Sequence, residues 1–317
     1  MRLGMVRLFC CLGALGCGNA ANDQENGSSE ATASASVSPS RASQSAAPAL
    51  SASTVSSAAA TPPVDDGSCG EGMVHVAGDY CPEVEQICLK HHPEWERDQE
   101  KRKKAEAKGN KYKSTVPERC LAYRSPSVCV SKQKRPVSFC VDRYEFPNQR
   151  GELPRLLISW TEAKKKCEAI GKRLCTEAEF NFACEGPEML PYTYGYERDA
   201  TKCSIDKEYR QRKKKLFPYE KCLTKPQCKE HLAHLDQRLP AGSLETCVSP
   251  FGVYDMNGNI NEWVEIPKKQ YPDRSGLKGG WWGPVRGRCR PTVDFHKEDD
   301  YGYEEGFRCC KDSTPSR

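Results

Sequence analysis

Cysteine constrains this chain more than any other residue type: there are 19 in 317 residues. Cys10 and Cys11 fall in an apolar N-terminal run, and sixteen more follow Cys17. An even, high count behind an export-type leader reads as a disulfide framework made in an oxidising compartment. Such a framework lets a chain dispense with long helices and strands, because covalent links supply the staples. The sequence beyond Cys69 agrees with this. It is short-phased, punctuated by Gly and Pro and rich in aromatics, which predicts short strands and long ordered loops. The net charge of +5 is too modest to indicate a partner by itself. No nucleic-acid motif, phosphate loop or dinucleotide fingerprint is present.

The leader itself is informative. Arg2 and Arg7 flank the apolar stretch Leu8 to Leu15, which is too short to span a bilayer. It ends in Ala14-Leu15-Gly16-Cys17, which resembles a bacterial lipoprotein processing site. On that reading residues 1–16 are a signal peptide and Cys17 carries acyl chains that anchor the protein to a membrane. Gly18 after Cys17 is not an inner-membrane retention signal, so the expected destination is the outer membrane. Residues 17–66 are Ser, Ala, Thr and Pro without an aromatic, a composition that cannot bury enough apolar surface to offset its ordering entropy. They read as a tether of roughly 40 Å average reach. The globular part is then 67–317, read as one domain and a monomer. Two charged segments interrupt it, near 91–113 and 206–239, and both are expected to be solvated surface insertions.

Two helix starts carry a mechanism. Ser159 with Glu162, and Thr176 with Glu179, each form a Ser/Thr-x-x-Glu capping box. The first predicts a helix with Ala163, Cys167 and Ile170 on its inner face, stopped at Gly171. The second predicts one with Phe180, Ala183 and Cys184 inward, ending at Gly186. Cys222, Cys228, His231 and His234 are grouped, but their spacing fits no common zinc finger. Disulfide pairing is the simpler reading of those cysteines.

A family resemblance rests on several ordered motifs. CVDRYE (Cys140 to Glu145), LISWTEAKKKCEAIGKRLCTEAEFNFACEG (Leu157 to Gly186) and YTYG (Tyr192 to Gly195) come first. SPFGVYDMNGNINEWV (Ser249 to Val264), LKGGWW (Leu277 to Trp282) and GFRCC (Gly306 to Cys310) follow. Together they resemble the formylglycine-generating enzyme, or sulfatase-modifying factor, family. Cys175 stands where that family usually has Pro, and Phe180 where it has Trp. The resemblance implies an α+β fold related to C-type lectins, poor in regular secondary structure and here rich in disulfides. It also implies a calcium site in the turn, with side-chain oxygens from Asp255 and Glu262 and carbonyls from Gly258 and Ile260. Calcium needs several oxygen ligands, and a tight Gly- and Asn-rich turn brings them together. A plain turn, with both carboxylates on backbone amides, is the alternative. A second family calcium site is weakened by Ser204 in Lys202-Cys203-Ser204.

The family's reaction oxidises a client cysteine on copper(I) held by two thiolates spaced Cys-x4-Cys after a GGS motif. Counted from Gly279-Gly280, the second position is Cys289, but the first is Pro284, which has no ligand atom. Trp281 replaces the serine. Cys289 is therefore catalytic only if another thiol completes the site, and Cys309 and Cys310 are the nearest candidates. A disulfide from Cys289 to one of them is the expected outcome. The first functional reading is thus a non-catalytic binding module for a glycan or peptide, and the rival is a copper-dependent oxidase. Trp160, Trp263, Trp281 and Trp282 either line the ligand groove or fill the core.

Overall fold

The computed structural model describes residues 68–114, 116–216, 219 and 223–313, all inside the compact unit spanning 58–317. The leader, Cys17, the whole of the 17–66 tether and Cys222 lie outside the described residues.

Strand β1 (Met73–Tyr80) is followed by the two-residue β2 (Val84–Glu85) and by β3 (Cys88–His91). Helix α1 (Pro93–Glu106) leads to β4 (Cys120–Tyr123), β5 (Val128–Cys129) and the long β6 (Arg135–Asp142). Helix α2 (Trp160–Ala169), β7 (Arg173–Leu174) and α3 (Glu177–Glu185) come next. After a loop-rich stretch come α4 (Pro226–Leu235), β8 (Asn261–Glu265), β9 (Ser275–Lys278), β10 (Glu305–Phe307) and β11 (Cys309–Asp312). The main sheet has the order β1-β6-β11-β7, and a second sheet has the order β10-β8-β9 with β10 parallel to β8. Both sheets are antiparallel at every other pairing, so the architecture is α+β with short elements.

Both predicted capping boxes are formed. The Ser159 side chain accepts from the Glu162 N–H while the Glu162 carboxylate accepts from the Ser159 N–H, and Thr176 with Glu179 repeats the exchange. Each cap satisfies amides that a helix start leaves open, an effect of about 1 kcal/mol. Ala163 and Cys167 of α2 are buried, but Ile170 is exposed. Ile170 is the C-cap residue with φ −110°, so it has left the helical path and no longer follows the inner face. In α3, Phe180, Ala183 and Cys184 all face the core. Gly186 ends the helix at φ 65°, where a Cβ would lie 2.7 Å from Pro250.

Seven disulfides staple the described residues: 69–140, 81–129, 88–120, 167–309, 175–310, 184–289 and 203–247. Cys228 is disulfide-bonded too, so all the described cysteines are paired. The inward cysteines of α2 and α3 bridge to the core, as their helical positions implied. This pairing density is that of a protein matured in an oxidising compartment. No helix among the described residues is long and apolar enough to cross a membrane.

The two charged segments differ. Helix α1 is exposed along most of its length, as expected. It is tied down at Asp98, which is buried and accepts from the Tyr112 hydroxyl at 2.7 Å. The segment near 206–239 is exposed over most of its described residues, but a few of its residues are buried. Tyr219, Cys228 and Leu235 join Leu156, Trp282 and Tyr303 in one hydrophobic cluster. Its apolar residues are too few and too irregularly spaced to show a period, yet these three are buried.

Candidate functional site

The pairing of the sulfurs bears on the copper position. Cys289 is bonded to Cys184 at 2.04 Å, and both are fully buried. The expected partners are taken elsewhere, Cys309 by Cys167 on α2 and Cys310 by Cys175 beside β7. Adjacent residues of strand β11 point to opposite faces, so its two thiols reach two different elements. Asn257 closes the 184–289 bridge from above, its Nδ2 lying 3.5 Å from the Cys184 sulfur. With Pro284 at one ligand position and a sealed sulfur at the other, the residues present do not fit a two-thiolate copper site.

The Asp255–Glu262 turn sits on a buried ionic centre. Glu262 accepts both arms of Arg308, from Nε at 2.6 Å and Nη2 at 2.8 Å. Arg308 also donates to the carbonyls of Asp142 and Tyr254. Asp255 accepts from the Gly242 N–H at 2.6 Å. Asn259 donates to Glu145 at 2.7 Å and to the Leu239 carbonyl. The backbone needs left-handed φ at Asp255 (61°), Gly258 (84°) and Asn259 (56°). Only glycine fits at 258, where a Cβ would stand 2.3 Å from the Ser204 carbonyl oxygen.

Three buried carboxylates, Glu145, Asp255 and Glu262, thus gather around one guanidinium. Burial raises all three, Asp255 to about 6 and Glu145 well above the usual carboxylate range, while Arg308 pulls back. Glu145 Oε1 has no hydrogen-bond partner. A dication suits that excess of negative charge, and each Glu262 oxygen keeps a second lone pair beyond its bond to Arg308. Among the described residues, however, no three His, Cys, Asp or Glu side chains are arranged to hold a metal. A calcium ion here would rest on Asp255, Glu262 and the carbonyls of Gly258 and Ile260. The residues fit it in charge, although both Glu262 oxygens already accept from Arg308.

Three of the four tryptophans belong to the core rather than a groove. Trp160, Trp263 and Trp282 are fully buried. Trp160 Nε1 donates to the Val264 carbonyl and Trp263 Nε1 to the Ile158 carbonyl, both at 2.9 Å, which cross-ties α2 to β8. Trp281 alone lines a cavity, of about 240 Å³. Leu277, Val285 and Val293 make its apolar wall and Phe295 its exposed rim, with Asn261, Arg286, Arg288, His296 and Glu304 as polar lining.

The wall is held from behind. Arg198 is almost wholly buried, grips both oxygens of Asp206, and donates to the carbonyls of Val285 (2.8 Å) and Arg286 (2.9 Å). Arg288 lies over the Tyr123 ring at 5.3 Å and donates to Gln86 at 3.0 Å. Burial pushes the Glu304 carboxyl up to about 7, and its Oε2 has no hydrogen-bond partner. Next to it, burial and the charge of Glu304 push Glu305 up to about 9. His296 Nδ1 stands 3.5 Å from Asp300 and 3.8 Å from Glu305, and burial lowers its basicity.

Of the sequence candidates only Trp281 lines this cavity, and Arg198, Arg286, Arg288 and Glu304 were not singled out from the sequence. The only trace was the alternation Arg286, Arg288, Arg290, of which Arg290 is spent on a two-armed pair with Glu185. The neighbouring cluster of Cys228, His231 and His234 is no metal site, since Cys228 is in a disulfide and His231 Nε2 accepts from the Lys213 N–H.

Comparison with known proteins agrees with the motifs. Residues 141–313 match the model of the sulfatase-modifying factor enzyme 1-like domain. The chain is 28% identical over 171 residues to the Bos taurus protein named inactive C-alpha-formylglycine-generating enzyme 2, covering 50% of each. It therefore spans about half the length of that curated relative. Among solved structures, CarF aligns with TM-score 0.47 and 14% identity, covering 76% of this chain and 98% of its own. PvdO from Pseudomonas aeruginosa aligns with TM-score 0.41 and 17% identity, covering 60% and 86%. With that match running over more than half of its length, the chain belongs to the family of sulfatase-modifying factor enzyme 1-like domains.

Proposed function

We propose that this protein is a non-catalytic binding module on the family scaffold, exported and anchored to a membrane through an acylated Cys17. The observation that carries the reading is the 184–289 bridge opposite Pro284, which leaves a soft metal no thiolate pair. The name of the bovine relative, an inactive member of the family, points the same way. The ligand, a glycan or a peptide, is held in the cavity beside Trp281. Calcium at the Asp255–Glu262 turn is a structural part of the same reading, since it offsets the buried carboxylate excess.

The test joins a thiol count to a turnover assay. The native and the denatured, unreduced protein should both show no titratable thiol. Protein loaded with cuprous ion should neither consume oxygen nor leave an aldehyde on a cysteine peptide. Oxygen uptake with aldehyde formation would overturn the reading. Excess EGTA should lower the melting temperature if calcium occupies the turn, and an unchanged melt removes calcium from the proposal. Mass spectrometry of the mature N-terminus reports whether Cys17 is acylated.

A further inference from the structure

The cavity beside Trp281 has a charge pattern that a general ligand reading leaves unused. Two arginines, Arg286 and Arg288, project from one loop, and both line it. Arg286 is exposed and has no ion-pair partner among the described residues. Arg288 is propped by Tyr123 beneath and Gln86 beside it, and its nearest carboxylate, Glu118, is 3.9 Å away. The loop cannot swing freely, because Arg198 grips the carbonyls of Val285 and Arg286. Arg288 already faces Glu118, so the guanidinium left free for an incoming carboxylate is that of Arg286, carried on a loop whose backbone is fixed.

We propose that this cavity captures the free C-terminal carboxylate of a peptide whose last side chain is apolar. The inference rests on the cavity being the ligand site, and it names the ligand. Leu277, Val285, Val293 and Trp281 offer the body of the ligand an apolar wall. A sugar ring would need polar partners around its rim, and beyond the arginines only Asn261, His296 and Glu304 provide them. The volume of about 240 Å³ lies below the roughly 300–1,000 Å³ of pockets for drug-sized molecules, so it suits one terminal residue rather than an extended strand. Glu304 is the one carboxylate in the lining. Burial holds its charge partial at neutral pH, so the two arginines dominate the field.

Isothermal titration with Gly-Gly-Leu and Gly-Gly-Phe tests this, each as free acid and as C-terminal amide, with a galacturonic acid trimer as the glycan arm. The free acids should bind, and amidation should weaken them at least about tenfold, the loss of a charge-assisted contact. Arg286→Gln and Arg288→Lys should each weaken the acids more than the amides, and Arg286→Gln should leave the melting temperature unchanged. Equal binding of acid and amide would overturn carboxylate capture and leave the cavity as a ligand site. Preference for the galacturonic acid trimer would do the same in favour of a glycan. If well-folded protein binds none of these probes, both the capture and the cavity's assignment as the ligand site are overturned.

Discussion

Arg308 and Glu305 lie three residues apart, both deeply buried, in opposite polar circumstances. Around Arg308 most groups answer one another: the guanidinium spans Glu262 and two carbonyls, and Asn259 serves one oxygen of Glu145, leaving only its Oε1 without a partner. Around Glu305 they do not. Its Oε2 and that of Glu304 lack partners, and Glu304 and His296 line the cavity. The difference separates two uses of buried polarity. A satisfied network fixes how strands meet, whereas unanswered atoms beside a void mark where something from outside can be received.

The largest effect should come from breaking the satisfied side. Arg308→Ala leaves Glu145, Asp255 and Glu262 without their cation and should cost about 3–5 kcal/mol in urea unfolding, the usual penalty for orphaning a buried charge. Arg308→Lys should recover only part, since one ammonium cannot hold both Glu262 oxygens and two carbonyls. A cost below about 1 kcal/mol would mean that the centre is not held by this ion pair.

The cavity side should respond to pH. Glu305 faces Glu304, Asp300, His296 and the Gly302 amide. Its folded value near 9, against 4.5 when free, means that the folded chain keeps a proton that the unfolded chain releases. Its contribution is full below about pH 4.5 and is lost as pH rises toward 9, by up to about 1.4 kcal/mol per pH unit. Glu305→Gln should therefore flatten stability across that window and raise it at pH 8. Matching slopes for variant and parent would show the carboxyl to be solvated. The smallest effect belongs to Arg286→Gln, within about 0.5 kcal/mol of the parent as for other exposed positions. A larger loss would place Arg286 in the fold rather than at the cavity.

Much of the fold was legible because its signals are local. The capping boxes at Ser159 and Thr176 need four residues each, and the structure forms both. The inward cysteines at 167 and 184 followed from helical phase. Their partners did not, because Cys289 pairs with Cys184 across 105 residues and no local rule selects it over Cys309. The tryptophans were ambiguous for a different reason: an indole suits a core or a groove, and only its surroundings decide. Arg286 and Glu304 were silent, since isolated charges in irregular loops carry no period. Their meaning comes from Arg198 and from the void itself.

One consequence follows from the position of β11 between β6 and β7, with Cys309 and Cys310 joined to partners 142 and 135 residues upstream. A chain emerging from its N-terminal end exposes Cys167 and Cys175 long before either mate exists. In the interval these sulfurs meet only wrong neighbours, such as Cys140 or Cys184. An oxidant working alone would trap those mispairings, so correct maturation calls for a shuffling catalyst that reopens them once β11 arrives. The yield of correctly paired protein should then track isomerase supply more closely than oxidising power.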